Sequence, residues 1–378
     1  MDFTFDAEQS LWHETLHRFM EHEVGREYTR EHDANRDFPE EVFQKMAAQG
    51  WLGLLVPEEQ GGMASDAIMF AIFCEAIGKY SLDTAACIMT SMFTATNIAR
   101  HGTLEQKRAY LHPFLEGQAK FSISISEPQA GSDAAAVKST ARLEGEEWVL
   151  NGNKVWCSGA HLPGATITVL VRTGQERYDG LSLILVPNTA KGLTMRKMNT
   201  IVRRSLGTTE FFMDNVRVPR GNLLGEVGRG WHYINEHLEY ERLSIAASQV
   251  GNARTALDDT IRYTKDRKQF GRPLASFQEL KHRMAQNECE LEAARLLVYS
   301  AASKMTRGER ALKEVSMAKV FASETLFKIA FNGMQALGGY AQLPEYDMER
   351  YFREAKHGMV GGGANEIQRS IIAKEMGL

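Results

Sequence analysis

The chain has 378 residues, 43% apolar and 24% charged, enough for two or three folded domains with cores of their own. A net charge of −4 argues against nucleic acid as a partner, and no stretch reaches the roughly 18 uncharged apolar residues of a membrane span. The acidic start Met1-Asp2-Phe3-Thr4-Phe5-Asp6 lacks a signal-peptide basic region, and Cys74, Cys87, Cys157 and Cys289 form no CxxC pair, so the expectation is a cytoplasmic protein with reduced thiols.

Residues 1–118 read as a helical domain. Trp12, Leu16, Phe19 and Met20 recur at helical spacing, as do Phe70, Phe73 and Ile77. Gly50, Gly61-Gly62 and Gly102 punctuate the segment, and Pro39 suits the first turn of a helix through Val42, Met46 and Ala47. Residues 119–228 change to β character. Trp148-Val149-Leu150, Asn151-Gly152 and Lys154-Val155-Trp156 spell a hairpin, because Asn-Gly supplies the positive φ of a tight turn. Thr166 to Val171, Leu181 to Val186 and Glu210 to Val218 are further strands, two of them closed by Pro187 and Pro219. In residues 229–378 long helices return: Trp231 to Asp266, Ser276 to Tyr299, and Leu312 to Leu337, the last stopped by Gly338-Gly339. With a short terminal helix they suggest a four-helix bundle. The expected fold class is α+β: an N-terminal helical domain, a central β-barrel-like or sandwich domain and a C-terminal four-helix bundle.

Several motifs carry candidate chemistry. His13-Glu14-Thr15-Leu16-His17 matches the H-E-x-x-H zinc pattern, but no third ligand follows, and the reading taken is a solvated helix flank with no metal. Gly225-x-x-Gly228-x-Gly230 has neither dinucleotide spacing nor a βαβ frame and reads as a turn into the next helix. In Ser126-Glu127-Pro128-Gln129-Ala130-Gly131-Ser132-Asp133, small residues let the backbone approach a ligand and two hydroxyls face it; a decorated loop is the alternative. Trp156 and Ser158 share one strand face, so a flat cofactor can stack on the indole and bind the hydroxyl at its edge; a core tryptophan is the alternative. Glu241 lies on one helical stripe with Trp231, Ile234, Leu238 and Ile245, where burial raises a carboxyl pKa and makes a better base. A salt bridge, or a wider polar face with Glu239 and Arg242, explains it equally. In Asp266-Arg267-Lys268-Gln269-Phe270-Gly271, the guanidinium suits a pyrophosphate and the phenyl ring an adenine, against plain helix-end charge complementarity. Gly361-Gly362-Gly363 leads into a helix and is either an anion-binding turn or a linker.

Taken in order, S-E-P-Q-A-G-S-D, D-R-K-Q-F-G, Gln335 with Leu337-Gly338-Gly339, and N-E-I-Q-R resemble the acyl-CoA dehydrogenase family over essentially the whole chain. The resemblance implies the same three-domain fold, FAD as cofactor and a homotetramer. It implies flavin-ring contacts at Ser126, Trp156 and Ser158, where many members have threonine for both serines, and a position near flavin and thioester at Ser132. Arg267, Gln269 and Phe270 match contacts to the FAD phosphates and adenosine, reached from a neighbouring subunit; Gln335, Gly339 and Glu366 match the rest of that dinucleotide site. Ser132, Tyr240, Arg242 and Gly362 match substrate positions. One departure matters. Many members carry their catalytic glutamate in a Y-E-G-T loop, and that position is Gly362 here. The isovaleryl and long-chain branches place the base in an E-R-L sequence on the helix that opens the bundle. This chain has Glu241-Arg242-Leu243 there, so stripe and resemblance select Glu241.

The implied activity is α,β-dehydrogenation of an acyl-CoA to the 2-enoyl-CoA, with electrons passed to an electron-transfer flavoprotein. The alternatives are an acyl-carrier-protein dehydrogenase, an enoyl reductase or a flavin oxidase of the same fold, or a silent FAD- or acyl-CoA-binding protein.

Overall fold

Asp6 accepts the Gln9 amide at 2.8 Å while the Gln9 side chain accepts the Asp6 amide, a capping box that starts helix α1 (Ala7–Phe19). The computed structural model describes residues 4–378; residues 1–3, on which part of the export expectation rests, lie outside them. Helices α2 (Gly25–Asn35), α3 (Glu40–Ala48), α4 (Ala67–Ile77), α5 (Leu82–His101), α6 (Leu104–Gln106) and α7 (His112–Leu115) complete the first segment. Strands follow: β1 (Phe121–Ser124), β2 (Thr140–Glu144), β3 (Glu147–Ser158), β4 (Thr166–Arg172), β5 (Leu181–Pro187), β6 (Leu193–Met198), β7 (Thr208–Pro219) and β8 (Leu223–Leu224). Helix α8 (Gly230–Asp266), a small β9 (Lys268–Gln269) and β10 (Arg272–Pro273) hairpin, and helices α9 (Gln278–Thr306), α10 (Leu312–Leu337), α11 (Met348–Gly358) and α12 (Asn365–Glu375) close the chain. The order helical, β, helical is the expected α+β class.

Two compact units emerge. One contains the chain up to Ala34 with Asp66–Ala85 and Glu239–Leu378; the other contains Asn35–Ser65 and Ala86–Leu238. The first is helical. Helix α4 is apolar but for Glu75 and buried on nearly every face, and it packs on α1 and α9. Two glycines let it meet α8 without intervening side chains. A Cβ at Gly251 would fall on the Glu75 carbonyl, and one at Gly78 on the Ser248 carbonyl. Helix α10 buries Val315, Ala318, Ala322, Leu326, Ile329 and Ala330 along one side and packs on α9, α11 and α12. Helix α11 has no counterpart in the sequence reading, and α9 begins and ends later than expected.

The second unit is built on one sheet with strand order β6-β7-β3-β2-β4-β5-β8 and β1 beside β4. Its core includes Trp148, Leu150, Val169, Ile184, Phe211 and Val216. The expected strands at Thr166, Leu181 and Glu210 are β4, β5 and β7. The expected Asn151-Gly152 hairpin is not there. β3 runs straight through both residues, and its pairing with β7 shifts between Leu150 and Gly152, which makes them a bulge. The reason is local. Gly152 adopts φ +135 against Ser139, leaving no room for a Cβ, and Asn151 Oδ1 accepts the Asn215 amide of β7 at 2.9 Å. The real turn is Gly145-Glu146, with Glu144 opposite Glu147.

No helix among the described residues is long and apolar enough to cross a membrane. All four cysteines are free; Cys74, Cys87 and Cys157 are buried and Cys289 is exposed.

Candidate active site

The site residues fall into groups within each unit. In the sheet unit, β3 gains one residue on β7 between Lys154 and Cys157. Trp156 takes φ +63 within that bulge, an uncommon conformation for a bulky residue. The bulge turns the indole outward: Trp156 is 60% exposed while Cys157 beside it is sealed. Ser158, two residues on, is half-buried.

A buried ion pair holds this segment to the loop bearing Ser126. Lys154 Nζ donates to Glu127 Oε1 at 3.0 Å and to the Ile125 carbonyl at 2.9 Å. Glu127 also accepts the amides of Lys138 at 2.7 Å and Ser139 at 2.9 Å. The Val155 amide donates to the Ser126 carbonyl at 3.1 Å. From β1, Ser122 Oγ donates to the Ser158 carbonyl at 2.7 Å. Burial alone would raise the Glu127 carboxyl, but the Lys154 ammonium and the two amides reverse this and hold it at about 2. The structure thus brings Ser126, Trp156 and Ser158 together on one tied framework. Sequence reasoning missed Lys154 and Glu127, although both stand inside the quoted motifs. The signal was a lysine at an inward strand position. Beyond the tight turn at Glu127–Ala130, Ser132 is exposed, and the adjoining Asp133 pairs with Arg177 at 2.7 Å.

In the helical unit, Glu241 and Ile245 are half-buried on α8, as the stripe requires. Tyr240 packs edge-on against Phe70, with ring centroids 5.8 Å apart. Arg242 is buried and its Nε donates to the Gly362 carbonyl at 3.3 Å. Burial lowers the Arg242 guanidinium, opposed by the Glu241 and Glu239 carboxylates. Gly362 sits at φ +64, and a Cβ there would lie 3.8 Å from Glu241 Oε1 and 2.7 Å from Ile245 Cδ1. The loop position and the helix carboxylate are therefore immediate neighbours.

A second group in the same unit is an open groove of about 540 Å³ lined by Arg267, Gln269 and Gly339 with Tyr263 and Tyr340. The Arg267 guanidinium stands 5.6 Å from the centre of the Tyr340 ring. Phe270 tips the β9–β10 hairpin at φ +52 and is 93% exposed. Gln335 is exposed near the end of α10, and Glu366 is exposed in the first turn of α12; neither lines the groove. An outward indole with hydroxyl neighbours, and a groove with a guanidinium and glycine walls, fit the isoalloxazine and pyrophosphate chemistry of FAD.

Comparison with known proteins agrees. Sequence models of the acyl-CoA dehydrogenase N-terminal, middle and C-terminal domains match residues 6–118, 122–216 and 228–377. The chain is 35% identical to the probable acyl-CoA dehydrogenase YngJ of Bacillus subtilis, over 100% of both chains. It is 34% identical to the 3-(aryl)acrylate reductase of Clostridium sporogenes, over 98% of this chain and 99% of that protein. It is 33% identical to the caffeyl-CoA reductase–Etf complex subunit CarC of Acetobacterium woodii, over 98% of each. Butyryl-CoA dehydrogenase from Megasphaera elsdenii superposes with a TM-score of 0.93 at 28% identity, over 100% of both chains. The FAD complex of PigA superposes at 0.95 with 26% identity, again over 100% of both. The chain belongs to the acyl-CoA dehydrogenase family and is an FAD-dependent oxidoreductase of that family.

Proposed function

We propose that the protein removes one hydrogen from each of the α and β carbons of an acyl-CoA thioester, giving the 2-enoyl-CoA, and that Glu241 is the base. The observation that carries this is the meeting of Glu241 with Gly362. The α8 carboxylate stands beside the loop position where other members carry theirs, 3.8 Å from the missing Cβ. Bound FAD supplies the hydride acceptor. The remaining work belongs to the chain. Glu241 takes the α proton. Arg242 holds the turn at Gly362. Ser126, Trp156 and Ser158 seat the flavin ring, and Ser132 and Tyr240 flank the thioester. Arg267, Gln269, Phe270, Gln335, Gly339 and Glu366 serve the dinucleotide end of a neighbouring copy.

That cross-subunit arrangement makes the assembly a homotetramer. Its support is the outward Phe270 and an exposed apolar edge of α10 at Met317, Phe321 and Phe331. The acceptor is an electron-transfer flavoprotein, in line with the Etf complex of the CarC relative. Residues 1–118, 119–228 and 229–378 are the proposed domains, and the cytoplasm the proposed location.

A second reading is the reverse reaction, reduction of an enoyl or aryl-acryloyl thioester. One relative is by name a caffeyl-CoA reductase subunit and another a 3-(aryl)acrylate reductase. Anaerobic titration separates the two. Bleaching of the yellow flavin by saturated acyl-CoAs supports dehydrogenation. Reoxidation of the reduced enzyme by enoyl- or aryl-acryloyl-CoA, with no bleaching by any saturated acyl-CoA, supports the reductase. Silence with every thioester sinks both.

A further inference from the structure

Lys319 is sealed from solvent in the middle of α10, although nothing in the sequence patterns drew attention to it. A buried ammonium is costly unless its donors are used. Here they are used on the turn beside Glu241. Lys319 Nζ donates to the Gly363 carbonyl at 2.8 Å and to Asn365 Oδ1 at 2.9 Å. Asn365 is fixed in turn, donating from Nδ2 to Ser323 Oγ at 3.0 Å and to Glu324 Oε1 at 3.2 Å. The buried Gln368 adds two bonds, from Nε2 to the carbonyls of Gly362 at 3.0 Å and Gly363 at 3.1 Å. Gly362 and Gly363 stand at φ +64 and +88. Two left-handed residues in succession are intrinsically loose, so their carbonyls are held from outside by α8, α10 and α12.

We propose that Lys319 is a positioning residue for the reaction: its buried ammonium pins the Gly362–Asn365 turn and, with Arg242, keeps the adjoining Glu241 carboxylate ionised. This rests on Glu241 being the base. Lys319 of α10 and Arg242 of α8 both interact electrostatically with the Glu241 carboxylate, and positive charge nearby favours the form that accepts a proton. Glu324 of α10 and Glu366 of α12 face Lys319, together with Glu241. Glu239 faces Arg242, and itself faces Arg310 and Glu375. His357 of α11 packs against Gly361. Burial, then Arg242, pull the Lys319 ammonium down to about 8, with the three carboxylates opposing. It remains a cation at neutral pH.

The test is the pH profile of anaerobic flavin reduction in FAD-loaded enzyme. Lys319→Gln keeps a donor for the Gly363 carbonyl and removes the charge. Its acid limb should move up by about half to one pH unit, while Lys319→Arg leaves the limb within experimental spread of wild type. A limb that Lys319→Gln does not move overturns the electrostatic role. Asn365→Ala removes one of the two acceptors without touching the charge. It should slow reduction several-fold at every pH with the limb in place, and a wild-type rate overturns the pinning even where Lys319→Gln fails to fold. Flavin reduction that persists in Glu241→Gln overturns the assignment of the base and this inference with it. Reduction that needs Glu241 but ignores both Lys319→Gln and Asn365→Ala overturns this inference alone.

Discussion

Lys154 Nζ lies 3.0 Å from Glu127 Oε1, and both side chains are closed to solvent. The pair joins the strand carrying Trp156 to the loop carrying Ser126. A buried pair of this kind adds little net stability over an apolar substitute, but removing one member strands the other.

Lys154→Met should therefore destabilise the protein by about 3–5 kcal/mol, because it leaves the Glu127 carboxylate buried and unpaired. The double variant Lys154→Met with Glu127→Leu should recover much of that loss. Its affinity for FAD should stay well below wild type, since only the Val155–Ser126 backbone bond then ties the loop to the bulge. Thermal melts of apoprotein and equilibrium flavin titration read the two effects separately. Wild-type FAD affinity in the double variant would show that the pair has no part in seating the flavin.

Acid should act on the same pair. The Glu127 carboxyl is held at about 2, below its ordinary 4.5. A lowered carboxyl contributes stability above its unfolded pKa and loses it as the pH falls through the folded one. The stability gap between wild type and Glu127→Gln should thus be full at pH 5 and shrink as the pH approaches about 2. Urea unfolding at a series of acid pH values measures it. A constant gap would mean that the carboxylate is not the group responsible.

Glu241→Gln preserves size and hydrogen bonding but cannot take up the α proton. Flavin reduction by the best acyl-CoA should fall by about 10²- to 10⁴-fold, with FAD content and ligand binding nearly intact. Stopped-flow bleaching under anaerobic conditions gives the rate directly, and an unchanged rate would remove Glu241 from the mechanism.

Gly362→Ala places a methyl group 2.7 Å from Ile245 Cδ1 on a residue at φ +64. Strain and overlap together should cost about 1–3 kcal/mol, and the bond from Arg242 to the Gly362 carbonyl should weaken. The paired change Gly362→Ala with Ile245→Val relieves the overlap but not the backbone strain, so only part of the melt should return.

Much of this was legible in the sequence, for identifiable reasons. Helices α8 and α10 were readable because long apolar stripes and the Gly338 stop depend on local spacing alone. The Asn151-Gly152 hairpin failed because the same dipeptide serves a turn or a bulge. The choice was made by Ser139 and Asn215, both distant in sequence. β6 was missed because its side chains are half-buried or exposed, never fully covered, and its residues carry no clear apolar run. At the site, Trp156 and Ser158 were visible as a large aromatic two residues from a hydroxyl on one strand. The Lys154–Glu127 tie and the Lys319 grip were not, because a buried charge is recognised only by the partner that folding brings to it.

The Phe270 hairpin has a consequence for how the enzyme is handled. A phenyl ring on a two-residue turn stays 93% open to water although Phe277 stands edge-on to it, ring centroids 6.2 Å apart. In the proposed assembly it closes over the nucleotide of a neighbour, so cofactor retention and subunit association become one linked equilibrium. Colour should then track concentration: dilute solutions would turn pale as protomers part, and concentrating them with FAD would restore the yellow.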